Sequence, residues 1–226
     1  MDLHSKYLRL FEQNLPKIAN GEHHIDSYLD APSDNRYGLS LILQLDPGVN
    51  QKVQQFLLYL QQEEPDQYYY TPDQIHITVL SIISCCEGFK LDSITVSDYA
   101  EIIEESLQGI KAFEMTYRGI TASNSGLLLQ GFPKGDELDQ IRKNLRINFG
   151  ASGLRESIDQ RYKLSTAHAT IMRFRTELQN SEQFVKILQN NRESFFGTEN
   201  ITRLHLVYND WYHRADRTLV LRSFYI

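Results

Sequence analysis

The sequence predicts an α+β protein, because amphipathic helical patterns and short apolar strands alternate along it and several strands form hairpins. Hydrophobic residues make up 41% of the 226 residues and charged residues 23%, a balance that supports a globular core. Long linkers and low-complexity tracts are absent from the sequence. The hairpins argue against a doubly wound parallel sheet, since a two-residue or similarly short turn joins only antiparallel strands.

The first predicted element is a helix over residues 3–18, where apolar side chains recur at helical spacing. A segment rich in turn-forming residues follows over 21–35. We therefore expect an N-terminal helical extension over residues 1–35, followed by one main domain over residues 36–226.

The main domain opens with the apolar strand YGLSLILQL at 37–45, which ends at Asp46-Pro47-Gly48. Helical periodicity then predicts helices over 49–62, 98–107, 136–149 and 181–189. Short apolar runs predict further strands over 75–83, 113–121, 127–132 and 166–174, and a final hairpin of 201–208 with 218–225.

The charge balance of the chain limits the kinds of molecule that it is expected to bind. The formal net charge is −6 and no run of Lys or Arg occurs, which argues against binding long duplex nucleic acid through its phosphates. A small phosphate-bearing ligand needs only a few local donors and remains compatible with this charge. No apolar stretch long enough to span a membrane and no secretory signal occurs, so we expect a cytoplasmic monomer without a membrane partner. The two cysteines, Cys85 and Cys86, are adjacent and are expected to be reduced thiols.

One motif occurs twice. Ile75-His76-Ile77-Thr78-Val79-Leu80 and Ala167-His168-Ala169-Thr170-Ile171-Met172 both read apolar-His-apolar-Thr-apolar-apolar, and both fall on predicted strands. Side chains two residues apart on a strand point the same way, about 7 Å apart. Each motif therefore presents an imidazole and a hydroxyl on one face of a strand, with the apolar residues directed into a core.

Phosphodiester cleavage by general acid–base catalysis uses two such imidazole–hydroxyl pairs. One imidazole takes a proton from the attacking water and another gives a proton to the departing oxygen, from opposite sides of the phosphorus. Histidine suits both roles because its pKa lies near neutrality, and threonine hydroxyls can hold the non-bridging phosphate oxygens. We therefore predict His76, Thr78, His168 and Thr170 as catalytic residues, without metal or cofactor, and a bell-shaped pH profile centred between pH 6 and 7. The sequence does not distinguish the acid from the base.

On these motifs the chain resembles the two-histidine phosphoesterase superfamily, which includes RNA 2′,3′-cyclic phosphodiesterases, also called 2′-5′ RNA ligases. The resemblance extends from about Tyr37 onward and rests on HITV at His76, HATIMR at His168 and the apolar opening strand. It implies a bilobal fold, in which two antiparallel sheets face each other across a cleft with pseudo-two-fold symmetry and helices lie outside. It also implies metal-independent cleavage of a cyclic or 2′-5′ phosphodiester.

Three further residues are candidates for substrate binding. Arg173 is either a phosphate ligand or the partner of a structural ion pair, since on a regular strand it faces away from His168. Tyr208 and Trp211 could stack on a base or could cover the edge of the core. His205 is expected to be structural.

The expected reaction is hydrolysis of a 2′,3′-cyclic phosphate or a related small nucleotide phosphodiester. Two alternatives remain open at this point. One is RNA 2′-5′ ligation or end processing on the same scaffold, and the other is a nucleotide-binding module without catalysis.

Overall fold

The computed structural model describes residues 2–226, which form five α-helices and nine β-strands. The helices are α1 (Leu3–Ala19), α2 (Pro47–Glu63), α3 (Val96–Leu107), α4 (Glu137–Ser152) and α5 (Ser181–Asn190). The strands are β1 (Arg36–Gln44), β2 (Tyr68–Tyr69), β3 (His76–Glu87), β4 (Phe113–Ser123), β5 (Gly126–Pro133), β6 (Ala167–Arg173), β7 (Phe195–Ile201), β8 (Arg203–Asp210) and β9 (Leu219–Tyr225).

The predicted α+β class is confirmed, and every strand pair in the sheet is antiparallel. The strand order is β7-β4-β5-β6-β3-β1-β8-β9, with β2 attached to β6. The sheet thus consists of two four-stranded halves, and β6 and β3 are the strands at which they meet. The expected pair of separate sheets is therefore seen as one continuous sheet, because β3 and β6 pair through Ile77 and Ala169.

Helices cover the outer side of both halves. Helix α1 packs on β4 and α2 on β7, with α5 against both of these helices, whereas α3 packs with β9 and α4 with β3. The apolar side chains of both motifs enter this core, where Ile77, Val79, Ala169 and Ile171 are fully buried. Burial of these alternate residues directs the intervening histidine and threonine side chains to the open side of the sheet.

Two strands escape prediction from the sequence. Strand β7 contains a glycine and three polar or charged residues among its seven, so it lacks an apolar alternation, and β2 has two residues. Both are held by pairing with a neighbouring strand, β7 with β4 and β2 with β6.

Helix α1 packs on β4 and is tied to the strand that carries the second motif. The Tyr7 hydroxyl accepts a hydrogen bond from Ala167 N at 2.9 Å and donates one to Gly131 O at 3.2 Å. Asn14 Nδ2 donates to Ala122 O at 3.2 Å. The predicted extension over residues 1–35 therefore makes buried polar contacts with the rest of the chain.

Candidate functional site

The pairing of β3 with β6 is centred on the two motifs. Ile77 and Ala169, which pair with each other, are the middle residues of the two His-x-Thr triplets. In an antiparallel pair this register places each histidine next to the other motif's threonine. The two histidines then lie on a diagonal, where side chains are about 7–8 Å apart. This is enough space for a phosphate group between two imidazoles.

All four motif side chains line one cleft of about 200 Å³. The lining includes His76, Thr78, His168 and Thr170, and also Arg173 and Trp211. The structure therefore brings together every predicted catalytic residue and two of the three predicted binding residues.

A bulge follows each threonine. On β6 the register shifts between Leu128↔Thr170 and Leu127↔Met172, so Ile171 is the extra residue, and on β3 the corresponding extra residue is Val79. A bulge reverses the alternation of side chains beyond it. As a result Arg173 turns to the cleft side, and so does Ser81, three residues after its threonine just as Arg173 is.

Arg173 is held in place on several sides. Its Nε donates to the Tyr70 hydroxyl at 2.8 Å, its Nη1 lies 3.8 Å from Asp26 Oδ2, and its guanidinium lies over the Tyr212 ring. Arg173 thus pairs with Asp26 and also lines the cleft, so its role as a phosphate ligand stays a prediction. The expectation that it faces away from His168 fails because of the bulge.

The two imidazoles have different hydrogen-bond partners. His76 Nδ1 lies 2.7 Å from Gln74 O, and because a carbonyl oxygen only accepts, Nδ1 carries the hydrogen. His168 Nδ1 lies 2.8 Å from Thr166 Oγ1, which can donate or accept. Burial lowers the pKa of both histidines to about 4. The cationic Arg173 adds to this effect at His76, and Arg142 adds to it at His168.

Arg142 of α4 supports both motifs from behind. Its Nε donates to Val79 O at 2.9 Å, and its Nη2 donates to Thr78 O at 3.2 Å and Thr166 O at 2.8 Å. These carbonyls lie where β3 and β6 separate and lose their strand partners, so a buried donor must satisfy them. Arg142 is 2% exposed, and no carboxylate of residues 2–226 lies within ion-pair distance of it.

Trp211 lines the cleft between two arginine side chains. Its ring is flanked by the guanidinium groups of Arg36, at 4.9 Å, and Arg161, at 4.4 Å. Arg161 and Tyr162 belong to the segment between α4 and β6, which forms one wall of the cleft. Tyr162 is 68% exposed, so an aromatic face is available for a ligand at this wall.

Tyr208 lies outside the cleft lining. Its ring stacks on Tyr37 with the centroids 4.9 Å apart, and its hydroxyl donates to Phe89 O at 3.3 Å. His205 is buried and bonds to Ser223, in agreement with a structural role.

Sequence reasoning missed His213, which lines the cleft and contacts His76. It lies in the turn after β8, where no spacing relates it to either motif. Arg142 was also missed, because the helical pattern of α4 by itself assigns no role to an arginine. The buried position of this arginine on the core-facing side of α4 is the one signal that could have identified it.

The described chain offers neither a metal-ligand cluster nor a membrane-spanning helix. Within residues 2–226, no group of three or more His, Cys, Asp and Glu side chains is placed to hold a metal ion together. None of the helices in that range combines the length and apolar character needed to cross a bilayer.

Comparison with known proteins gives matches in structure. No protein-family model and no curated protein sequence matches the chain. TT0787 of Thermus thermophilus superposes with a TM-score of 0.61 at 14% identity, covering 83% of this chain and 97% of that chain. A crystal structure described as a phosphoesterase gives 0.57 at 12% identity, covering 84% and 98%. Escherichia coli LigT complexed with 3′-AMP gives 0.55 at 13% identity, also covering 84% and 98%.

Further LigT structures that match contain ATP or NADP⁺. The chain therefore has the fold of these phosphoesterase and LigT structures, in agreement with the resemblance seen in the sequence.

Proposed function

We propose that this protein is a metal-independent phosphodiesterase that hydrolyses a 2′,3′-cyclic phosphate or a related small nucleotide phosphodiester. The observation that carries the proposal is the pairing of Ile77 with Ala169, which places two His-x-Thr motifs side by side in one cleft. The fold supports an enzyme of the phosphoesterase type, and LigT complexes with 3′-AMP, ATP and NADP⁺ support a nucleotide as ligand.

In this reaction His76 and His168 share the roles of general base and general acid. One imidazole removes a proton from water, whose oxygen attacks phosphorus, and the other protonates the ribose oxygen that leaves. Thr78 and Thr170 donate hydrogen bonds to the non-bridging oxygens, and Arg173 neutralises their charge.

The low pKa values of His76 and His168 affect the expected pH profile. An anionic phosphate between the imidazoles favours their charged forms and raises the pKa of each. The site therefore acquires its proton together with the substrate, and the bell-shaped profile centred between pH 6 and 7 applies to the complex.

Trp211 and Tyr162 both line the cleft, and Tyr162 is 68% exposed, so these rings are the candidates for contact with a nucleobase. Tyr208 remains a prediction from the sequence, and its packing on Tyr37 gives it no route to the cleft in this conformation. A cytoplasmic, monomeric protein is part of the proposal, as is a substrate no larger than a nucleotide or an RNA end.

RNA end joining on this scaffold is a second candidate, supported by the structural match to LigT. The net charge of −6 favours the smaller substrates, since a long RNA requires many phosphate contacts. The third candidate, a nucleotide-binding module without catalysis, is less favoured because binding alone does not need both imidazoles.

The test is turnover of the four nucleoside 2′,3′-cyclic monophosphates in the presence of EDTA, followed by chromatography of the nucleoside monophosphates. Chelator-resistant hydrolysis of at least one of them is expected. A well-folded protein that binds these nucleotides without turnover would support the binding module, and turnover abolished by EDTA would contradict a metal-independent reaction.

A further inference from the structure

The turn after β8 fixes a third histidine, His213, in an unusual backbone conformation. Its φ is +53°, a value that is uncommon outside glycine and persists where neighbouring contacts hold the chain. Here the holding group is the buried Asp210, whose Oδ1 accepts hydrogen bonds from Tyr212 N at 3.2 Å and Arg214 N at 2.9 Å. His213 N donates to Asp210 O at 3.3 Å. These hydrogen bonds therefore fix the backbone conformation of the turn and with it the position of His213.

The His213 ring packs against the ring of His76. Their centroids are 3.7 Å apart with the planes 33° from parallel, and His213 is 8% exposed. One face of His76 is thereby closed to water. The hydrogen bond from His76 Nδ1 to Gln74 O leaves the lone pair on Nε2, for which the described residues provide no hydrogen-bond partner.

The charged groups around the stacked His76 and His213 rings also disfavour a positive charge on His76. The positive charge of Arg173, on β6, lowers the pKa of both rings. Its counterion Asp26 lies 3.8 Å from Nη1 and also accepts a hydrogen bond from the Tyr212 hydroxyl. His168 lies across the cleft on β6. Asp159, on the segment between α4 and β6, is engaged by Arg146 at 2.7 Å. Asp210 is engaged by Arg214, so neither carboxylate is free to stabilise an imidazolium at His76.

We propose that His213 is a positioning residue, which keeps His76 neutral and so makes His76 the general base and His168 the general acid. The inference rests on the proposed hydrolysis of a cyclic phosphate. His76 Nε2 takes a proton from water as the new P–O bond forms, and the P–O bond to one ribose oxygen breaks. His168 gives its Nε2 proton to that oxygen, which yields a phosphomonoester and a free hydroxyl.

His168 is suited to the complementary role. Its Nδ1–H can donate to Thr166 Oγ1 at 2.8 Å, which leaves Nε2–H for transfer when the ring is an imidazolium. No aromatic ring of residues 2–226 stacks on His168, whereas His213 stacks on His76. When an anionic phosphate draws one proton into the cleft, the imidazole without a stacked ring, His168, receives it.

The experiment compares the wild type with His213→Asn, because asparagine tolerates a positive φ and removes the ring. NMR titration of the ¹⁵N-labelled imidazoles gives the pKa and tautomer of each histidine, independently of activity. We expect the pKa of His76 to rise by about one pH unit when water reaches its exposed face. The acid limb of the kcat/KM profile should move upward by the same amount, while the pKa of His168 stays in place.

The matched control is His205→Asn, which removes a buried histidine on β8 outside the cleft. It should leave the pKa of His76 and the pH profile unchanged. If His213→Asn does not fold, His213→Gly serves as the second variant because glycine favours a positive φ.

A lower kcat with an unchanged pKa of His76 would reduce His213 to a structural residue and overturn the inference. A neutral His76 that carries its hydrogen on Nε2 would also overturn it. If the wild type hydrolyses no cyclic nucleotide, the proposed function fails, but the NMR titration still decides whether His213 controls His76.

Discussion

Replacing Arg142 by methionine should loosen the point at which the two halves of the sheet meet. The guanidinium donates to the carbonyls of Thr78, Val79 and Thr166, and methionine offers no donor to any of them. A buried carbonyl left without a partner costs about 1–3 kcal/mol, so three cost roughly 3–9 kcal/mol.

The substitution also removes a buried charge, and this offsets part of the loss. Burial lowers the pKa of Arg142 from 12.5 to about 10, which corresponds to roughly 3 kcal/mol of unfavourable charge burial near neutral pH. The free energy of unfolding should therefore fall by about 3 kcal/mol, within a range of roughly 0–6 kcal/mol.

Urea unfolding at pH 7 measures this difference, and kcat/KM for a cyclic nucleotide reports the motifs themselves. We expect kcat/KM to fall about 10-fold or more at temperatures where Arg142→Met is fully folded. The reason is that the backbone carbonyls of Thr78 and Thr166, next to the two histidines, lose their hydrogen-bond donor. Arg118→Met is the matched control, since Arg118 pairs with Glu193 at the surface and its loss should cost less than about 1 kcal/mol. An Arg142→Met protein with stability and activity like those of the control would refute the reasoning.

Three other predictions concern the site and its support. Thr170→Val should lower kcat/KM for a cyclic nucleotide about 10- to 1,000-fold at unchanged stability, because one phosphate donor is lost. The control is Thr198→Val on β7, outside the cleft, and an equal effect from it would contradict this prediction. Tyr7→Phe should reduce the free energy of unfolding in urea by about 1–2 kcal/mol, since Ala167 N loses its acceptor; no change would mean that α1 adds nothing at β6. Burial holds the pKa of His168 in the folded protein at about 4, below its value of about 6.5 when unfolded, so acidification from pH 6.5 to 4 should lower stability in urea titrations. His168→Gln should make that slope shallower without removing it, because His76 contributes in the same way; an unaltered slope would contradict the assignment.

The sequence contains enough information for the helices, for most of the strands and for the centre of the site. The alternation of Ile77, Val79, Ala169 and Ile171 with the histidines and threonines is visible in the sequence, and it predicts that His76, Thr78, His168 and Thr170 face the cleft. The five helices are all predicted, with ends that differ from the observed ones by a few residues.

What could not be predicted depends on contacts between distant segments. The bulges at Val79 and Ile171 arise from pairing with β1 and β5, and they decide the direction of Arg173. His213 reaches His76 because the turn after β8 is shaped by Asp210, and nothing in the local spacing encodes that contact. Strand β7 likewise forms because β4 offers it an edge.

The central claim is that His76 and His168 act as one catalytic unit on a phosphodiester. It is tested most directly by kcat/KM for a nucleoside 2′,3′-cyclic phosphate in EDTA, measured for the wild type, His76→Ala, His168→Ala and the double variant. We predict that each single variant loses about 10²–10⁴-fold and that the double variant loses far less than the product of the two. Retention of activity within a few-fold of the wild type in either well-folded single variant would contradict the account.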